Sequence, residues 1–424
     1  MKTKPKSTAY IVHSIAAAVL LLTAQISLAG SATWLLSPQD SAWENANNWT
    51  TGGPPNGPSD IATFAQSSQT DVNISTPEEV NSIVFTSDSA SFNFIFWGLT
   101  ISGTGVTNNS GVLQSFQNWG GLVFKNTSTA ASAYMSIDNS SFDTTGYTIF
   151  NDSSSAAGAS ISNSGSPGGF VAPGGPAATF FNGTSTAGHA GITNHGGFPV
   201  TEHDWSPVGG YTEFHDSSTA DSATLVANYG ITGGGGIYFY GASSADSASI
   251  IANGISYGVG GAIVFYDAST GGTARVQVFY NGYLHIADHQ SGLSIGSIEG
   301  SGNVFLGANN LIVGTNNINT SFSGVISGSG SLAKVGNGVL TFQTNHCIAD
   351  TVGLILVSGS IIKLDFTGPS DVIASLKVNG VPQPPGIYGS PTSGAPHQLP
   401  QFAGPGMVQV GIVSPTIAPA RQVM

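Results

Sequence analysis

The chain has 424 residues, with nine Lys or Arg against 22 Asp or Glu, which gives a formal net charge of −13. This acidic balance and the lack of a basic patch argue against a nucleic-acid or anionic-lipid surface. Charged residues make up only 7% of the chain, whereas 40% of residues are hydrophobic and 58 are glycine, which excludes a charge-rich disordered chain. The lone Cys347 excludes an internal disulfide framework.

Residues 1–29 are predicted to be a signal peptide. Lys2, Lys4 and Lys6 form a basic start, an apolar run follows at 15–22, and Ser27-Leu28-Ala29 fits a small-x-small cleavage site. A membrane anchor is the alternative, but the apolar run is too short to span a bilayer. We therefore expect an exported protein, extracellular or at the cell surface with the periplasm also open, and no membrane span in the mature chain.

Residues 30–120 are predicted to form an N-terminal β cap region. Trp34, Trp43 and Trp49 open the segment, and strands are indicated at 72–74 and 83–85. A solenoid end leaves an unpaired edge and an open apolar core, which buried tryptophans would cover. The alternative interpretation is that these tryptophans form an exposed sugar-binding platform.

Residues 121–290 contain six copies of one motif, which start about 25 to 33 residues apart. Each copy opens with an aromatic residue: Phe124, Phe150, Phe181, Phe214, Phe239 and Phe265. A serine follows four residues later: Ser128, Ser154, Ser185, Ser218, Ser243 and Ser269. An alanine follows nine residues after the aromatic: Ala133, Ala159, Ala190, Ala223, Ala248 and Ala274. An apolar residue follows at eleven: Met135, Ile161, Ile192, Leu225, Ile250 and Val276.

A repeat of this length, built from short β runs between Gly, Ser and Asn clusters, predicts one coil of a right-handed parallel β-helix per copy. Coils stack about 4.8 Å apart, so about 17 coils of about 23 residues would make a rod of about 80 Å. The aromatics would then stack on each other, the alanines would face inward where the coil is narrow, and the serines would bond to backbone at a corner. Length differences would be loops near 164–175 and 196–208. An antiparallel β-sandwich with decaying repeats is the alternative.

Residues 291–345 carry a more specific pattern. Its core is Phe322-Ser-Gly-Val-Ile-Ser-Gly-Ser-Gly330, followed by Lys334, Gly336, Gly338 and Leu340. This segment resembles the autotransporter-associated β-strand repeat of exported bacterial proteins, and the segment Trp43-Glu-Asn-Ala-Asn-Asn-Trp49 resembles the opening of that group. The resemblance implies a passenger-like β-helix. The alternating strands of a translocator barrel are not recognisable in the chain.

Residues 346–424 are predicted to be a C-terminal β cap and tail. Strands are indicated at 354–357 and 361–366, and a Gly-x-Tyr-Gly turn at 386–389 precedes a final strand near 406–410. The closing pattern resembles that of the same exported proteins. Prolines in this segment would discourage further pairing at the edge.

Three carboxylates fall two residues after a repeat aromatic and could stack in one column. They are Asp152, Asp216 and Asp267, with Asn126 and Asn182 as the matching positions in two other copies. Stacked carboxylates could hold Ca²⁺, and a glycosidase needs two carboxylates about 5–9 Å apart. Asp is also a common turn residue that needs no further function.

Four histidines form a second candidate cluster around the longest insertion: His189, His195, His203 and His215, with Asp204 beside them. His and carboxylate side chains can hold Zn²⁺, but their spacing matches no known zinc pattern. We therefore predict no catalytic residue, no cofactor and no metal site.

The sequence favours an exported, non-catalytic β-helical protein with a structural or adhesive role. Its partners would be glycans or other surface proteins, without nucleic acid, and self-association is open. The alternatives are a polysaccharide-degrading lyase or glycosidase on the same scaffold and a cation-stabilised glycan-binding module.

Overall fold

A computed structural model describes residues 30–131, 133–140, 145–166, 175–199 and 208–411. The predicted signal peptide, parts of both predicted loops and residues 412–424 lie outside these ranges. The described residues are almost entirely β, with one 3-10 helix at Ala46–Asn48. They form a parallel β-helix of about 13 turns. The number of coils is smaller than predicted because loops, corners and caps take up chain that the estimate assigned to coils.

The first strands are β1 (Ala32–Thr33), β2 (Gly57–Phe64), β3 (Asp71–Ile74), β4 (Glu78–Phe85), β5 (Asn93–Asn108) and β6 (Gln114–Phe124). The repeat array gives β7 (Thr129–Ala130), β8 (Met135–Asn139), β9 (Tyr147–Phe150), β10 (Ser160–Asn163), β11 (Ala178–Phe181), β12 (Gly191–Asn194), β13 (Tyr211–Phe214), β14 (Thr224–Ala227), β15 (Gly236–Phe239), β16 (Ser249–Ala252), β17 (Ala262–Phe265), β18 (Gly271–Val278) and β19 (Tyr283–His285). There follow β20 (Leu293–Gly300), β21 (Asn303–Phe305), β22 (Asn310–Val313), β23 (Thr320–Phe322), β24 (Val325–Ser327), β25 (Ser331–Lys334), β26 (Val339–Phe342), β27 (Gly353–Leu356) and β28 (Ile361–Leu364). The last strands are β29 (Asp371–Ile373), β30 (Ser375–Val378), β31 (Val381–Pro382), β32 (Gly386–Gly389), β33 (His397–Gln398), β34 (Phe402–Ala403) and β35 (Met407–Val410).

Two long rows of strands run along the rod. Each strand pairs in parallel with the strand one coil later, so that β9, β11, β13, β15, β17, β19 and β21 form one row. Strands β8, β10, β12, β14, β16, β18 and β20 form the other. We call their outward sides face A and face B. The parallel register rules out the antiparallel sandwich.

The repeat aromatics form a stack inside the rod. The rings of Phe124, Phe150, Phe181, Phe214, Phe239 and Phe265 lie 4.6 to 4.9 Å apart between centroids, with planes within 8° of parallel. All six side chains are buried. Because each ring takes the spacing of the coils, the predicted stack is confirmed.

The alanine column is also inward, except in the first copy. Ala159 and its equivalents in the later copies are fully buried. Ala133 is exposed, and Met135 is buried instead. Ser136 pairs with Ser160, so the first copy has two extra residues before this strand and its motif was aligned wrongly. Met135 therefore takes the place of Ala159.

The repeated serine is buried in all six coils. Ser218 and Ser269 each donate to the carbonyl oxygen three residues earlier, at 2.7 Å. Ser154 donates to the Phe124 carbonyl oxygen at 3.4 Å. These contacts confirm the predicted serine-to-backbone bond in three copies.

Each coil turns at two corners where the backbone enters the left-handed region. The second corner has positive φ at Ala131, Ala157, Gly188, Asp221, Asp246 and Gly272. At four of these positions a Ser or Thr hydroxyl two residues earlier accepts the backbone N–H, as from Ala157 to Ser155 Oγ at 3.0 Å and from Gly188 to Thr186 Oγ1 at 3.0 Å. Such side-chain-to-backbone bonds favour a turn over a continuing strand.

A ladder of buried asparagines runs beside the aromatic stack. The ladder starts at Asn118 and runs through Asn139 and Asn163 to Asn194. In each of its three bonds the Nδ2 of one asparagine donates to the Oδ1 of the next at 2.7 Å. A threonine hydroxyl caps the same oxygen, as Thr212 does for Asn194 at 2.9 Å. The ladder satisfies polar groups that would otherwise destabilise the core.

Both ends of the coil stack are closed. Trp34, Trp43 and Trp49 are buried, and the Trp49 indole N–H donates to the Trp43 carbonyl oxygen at 2.7 Å. The three tryptophans are buried as predicted, and the alternative of an exposed sugar-binding platform at these tryptophans is wrong. At the other end, β29, β35, β32 and β33 form a small separate sheet in which β32 and β35 are antiparallel. This antiparallel pair ends the parallel stacking.

Candidate binding face

Face A carries an unusual density of aromatic side chains. Alternation along a strand directs every second residue outward, away from the phenylalanine stack. The outward aromatic residues on this face are Tyr147, Phe180, Tyr211, Tyr238, Tyr240, Tyr266, Tyr283 and Phe305. They follow one row of strands through successive coils and so form a continuous aromatic track.

The centre of the track is the Tyr238 ring, whose outer atoms lie over Gly236. A Cβ atom at Gly236 would come within 2.3 to 2.5 Å of three Tyr238 ring and hydroxyl atoms, so only glycine leaves room for this position. Tyr147 lies over Gly121 of the preceding coil, with contacts of 2.8 to 2.9 Å. Both rings therefore lie close to the backbone of the sheet.

A second row of rings lies beside Tyr238, and the Tyr240 plane is 29° from the Tyr238 plane. His215, Tyr240 and Tyr266 stack with centroids 4.9 and 4.8 Å apart and planes within 6°. Because neighbouring rings in this stack cover each other's flat sides, these residues present ring edges and polar atoms to solvent. His215 Nε2 also contacts Glu213 Oε2 at 2.8 Å, which places one hydrogen-bonded His–Glu pair within the track.

The tyrosine hydroxyls of the track are neutral donors. Burial, with a smaller contribution from neighbouring rings and Glu213, raises the pKa of Tyr238 to about 12. The pKa of Tyr211 and the pKa of Tyr283 are raised by burial in the same way. None of these three hydroxyl groups hydrogen-bonds to another described residue. They are therefore available to a ligand.

Two exposed tryptophans stand near the N-terminal start of the track. Trp97 and Trp119 are 49% and 37% exposed, and their ring centroids lie 6.0 Å apart. Trp97 directly precedes Gly98, which pairs with Gly121 beneath the Tyr147 ring. The exposed aromatic surface thus begins several coils before Tyr238.

The predicted aspartate column is a set of backbone clamps. Asp152 Oδ2 accepts the Asn126 N–H at 2.8 Å, one coil back. Asp216 accepts from Gly183 and Asp267 accepts from Gly241, both at 2.9 Å. Each carboxylate therefore joins two coils at the first corner.

The prediction that Asn182 is the third copy's member of this column was wrong. All members of the column have positive φ, and the third and fifth copies contribute Gly183 and Gly241. Asn182 lies one position earlier, where its Nδ2 donates to Asn151 Oδ1 at 3.0 Å. A coil without a carboxylate thus separates each aspartate from the next.

The predicted histidine cluster is dispersed among the described residues. His189 Nδ1 contacts Ser222 Oγ at 2.5 Å, His195 is exposed, and His215 belongs to face A. His203 and Asp204 lie outside the described residues. Within the described ranges, no group of three or more His, Cys, Asp or Glu side chains is placed to hold a metal ion.

The aromatic track itself was not predicted from the sequence. Tyr238 and Tyr240 flank the repeat residue Phe239, and reading the two neighbours of each repeat aromatic as one outward surface would have found them.

Over the part of the chain that the structure describes, no helix is long and apolar enough to cross a membrane. No family model, no curated protein and no solved structure matches this chain.

Proposed function

We propose that this protein is an exported, non-catalytic adhesive rod that binds polysaccharide chains along face A. The observation that carries the proposal is the Tyr238 ring over Gly236, set within an aromatic track that follows the rod axis. A partly exposed aromatic ring can pack against the C–H face of a sugar, and neighbouring hydroxyls can bond its oxygens.

The rigidity of the scaffold supports binding of an extended chain. Face A is a pleated sheet held by parallel pairing in every coil, so its rings are fixed before a ligand arrives. Preorganised side chains lose little conformational entropy on binding. A polymer that contacts several coils at once also gains from multivalency.

The composition of the face supports a neutral ligand. Glu213 and His215 are its central ionisable residues, and they contact each other. The chain as a whole is acidic, with a net charge of −13, which disfavours a polyanion on this surface. The signal-peptide pattern at 1–29 and the resemblance to exported β-strand-repeat proteins support action outside the cell.

The three column aspartates support a non-catalytic role, because each accepts a backbone N–H at a corner. Their geometry is that of structural clamps. Polysaccharide-degradation assays with the purified chain test this part of the proposal, and release of reducing ends would contradict it.

Affinity electrophoresis on a panel of neutral polysaccharides tests adhesion. We expect Tyr238→Ala to weaken binding by about tenfold, since one ring-packing contact is lost. Tyr257→Ala is the matched control, because Tyr257 is 88% exposed and lies in the loop between β16 and β17, outside the strands of face A. Equal effects of both changes, or no binding to any member of the panel, would refute the proposal.

A further inference from the structure

A groove of about 440 Å³ lies on face B, around the corner from the aromatic track. It forms where the regular row of strands is interrupted, since β20 pairs with β23 through Gly300 and Phe322 alone. Its walls include Arg275, Gln277, Phe279, Glu299, Asn319 and Ser321. The groove is therefore a separate feature from face A.

Three side-chain oxygens in this groove are already engaged by the protein. Glu299 Oε1 accepts from Arg275 Nε at 2.6 Å and from Arg275 Nη2 at 2.5 Å. Asn319 Oδ1 accepts the Val339 N–H at 2.8 Å. Gln277 Oε1 accepts from the Ser249 hydroxyl at 3.4 Å. These bonds show that the oxygen of each side-chain amide already has a partner in the protein.

Glu299 Oε2 has no hydrogen-bond partner within the described ranges, so the groove keeps one carboxylate acceptor beside the following donors. Among the described residues, none accepts a hydrogen bond from Asn319 Nδ2 or Gln277 Nε2. The Arg275 side chain is 46% exposed, and its guanidinium has five N–H donors, of which Glu299 engages those on two nitrogens. A planar guanidinium beside two amide donors is complementary to a carboxylate.

The groove is larger than a single ion requires and has an apolar wall. Phe279 lies against Gly300, where an added Cβ would be 3.3 Å from its ring. The Ser321 hydroxyl adds a polar group beyond the guanidinium. The site thus combines an anion-binding end with a wall that suits a sugar ring.

We propose that this groove binds a carboxylate-bearing saccharide, with Arg275, Gln277 and Asn319 donating to the carboxylate and the sugar ring against Phe279. The inference does not rest on the proposed function of face A. It assigns the chain a second, discrete site for an acidic sugar, whereas face A would take a neutral polymer.

Isothermal titration of the full chain with a linear triuronate tests the site, alongside a neutral trisaccharide and sodium acetate. Asn319→Asp is the sharpest variant, since it keeps the acceptor for Val339 N–H and replaces the free donor with a negative oxygen. We expect Asn319→Asp and Arg275→Gln each to weaken triuronate binding by at least about tenfold.

Lys363→Gln is the matched control, because it removes a cation paired with Asp365 further along the rod and should leave binding unchanged. Tyr238→Ala should also leave it unchanged, which separates this test from that of face A. Three outcomes would overturn the inference. The first is absence of triuronate binding, and the second is equal binding of the neutral trisaccharide or of acetate. The third is unchanged triuronate binding in both groove variants, provided that both retain the wild-type melting temperature.

Discussion

Asn194 and Ala227 occupy the same position in consecutive coils, and the buried asparagine ladder stops between them. Asn194 is fully buried, and its Nδ2 has no hydrogen-bond partner among the described residues. In the same coil as Ala227, Ile237 stands where the earlier coils have a threonine. The ladder therefore ends on an unsatisfied donor.

Extending the ladder by one coil should move the unsatisfied donor and not remove it. In the double change Ala227→Asn with Ile237→Thr, the new amide oxygen would accept from Asn194 Nδ2, but the new Nδ2 would face Ala252 and find no acceptor. Ile237 is fully buried, so its replacement by threonine also loses apolar burial, and we expect the free energy of unfolding to fall by about 1–2 kcal/mol. Denaturant unfolding measures the difference. The same pair one coil later, Ala252→Asn with Ile263→Thr, lacks even the bond to Asn194 and should lose more, and a more stable Ala227→Asn, Ile237→Thr protein would contradict this account.

Ala157 is strained at the second corner, with φ of 51°. The equivalent residue in the next coil is Gly188, which adopts φ of 60° without a Cβ penalty. We expect Ala157→Gly to raise the free energy of unfolding by about 0.5–1 kcal/mol, because relief of left-handed strain exceeds the added entropy of the unfolded chain. The neighbouring Ala156→Gly should be destabilising, since Ala156 is buried and has no positive φ. Equal effects at the two positions would refute the strain argument.

The aspartate column should stabilise the rod without a cation. Asp216→Ala removes the acceptor for the Gly183 N–H and places a Cβ-bearing residue with no local polar group at positive φ, so we expect a loss of about 1–2 kcal/mol. Asp216→Asn keeps an acceptor oxygen and should lose less. Thermal melts with and without a chelator check the second half of the prediction, and a lower melting temperature after chelation would reveal a bound cation.

Two buried carboxyl groups should make the protein more stable in mild acid. Burial raises the pKa of Glu78 from 4.5 to about 7 and the pKa of Asp371 from 3.8 to about 7. Between these values the folded state holds protons that the unfolded state has released, so stability falls as the pH rises and the penalty is complete above about pH 7. The melting temperature should therefore be higher at pH 5 than at pH 8.

Glu78→Gln isolates one of these groups from the general effect of the acidic surface. Glu78 is 5% exposed, and its Oε2 has no partner among the described residues. The variant should be more stable than the wild type at pH 8, by a few degrees in melting temperature, and should show a smaller difference between the two pH values. An unchanged pH difference would show that Glu78 does not titrate in this range.

The interior of the rod could be predicted because stacking repeats it in the sequence. Phe124 through Phe265 recur at a fixed distance from a serine and an alanine, so the aromatic column was visible before the structure. The corner column was harder to align, since Asn126, Asp152 and Gly183 share a backbone conformation and not a side-chain type. Two extra residues before Ser136 shifted the first copy for the same reason, because only strand pairing shows the insertion.

The aromatic character of face A does not follow from periodicity, although periodicity locates its positions. Ala178, Tyr211 and Gly236 each lie three residues before a repeat phenylalanine and share one outward position in three successive coils, but their side chains differ in type. Outward positions carry no packing requirement from coil to coil, so their residues vary freely. The groove beside Arg275 was hidden for a related reason, because it arises where strand pairing is interrupted at Gly300.

The pairing of each strand with the strand one coil later also sets an order for folding. Each strand of face A and face B pairs with a strand about one coil away in the sequence. The loop-closure entropy lost at each pairing is therefore small and similar from coil to coil. The tryptophan cap supplies a nucleus at the end that is synthesised first, and each completed coil becomes the template for the next. Pairing of this kind lets the chain gain its structure progressively, and the antiparallel β32–β35 pair is the last step, which ends the parallel stacking.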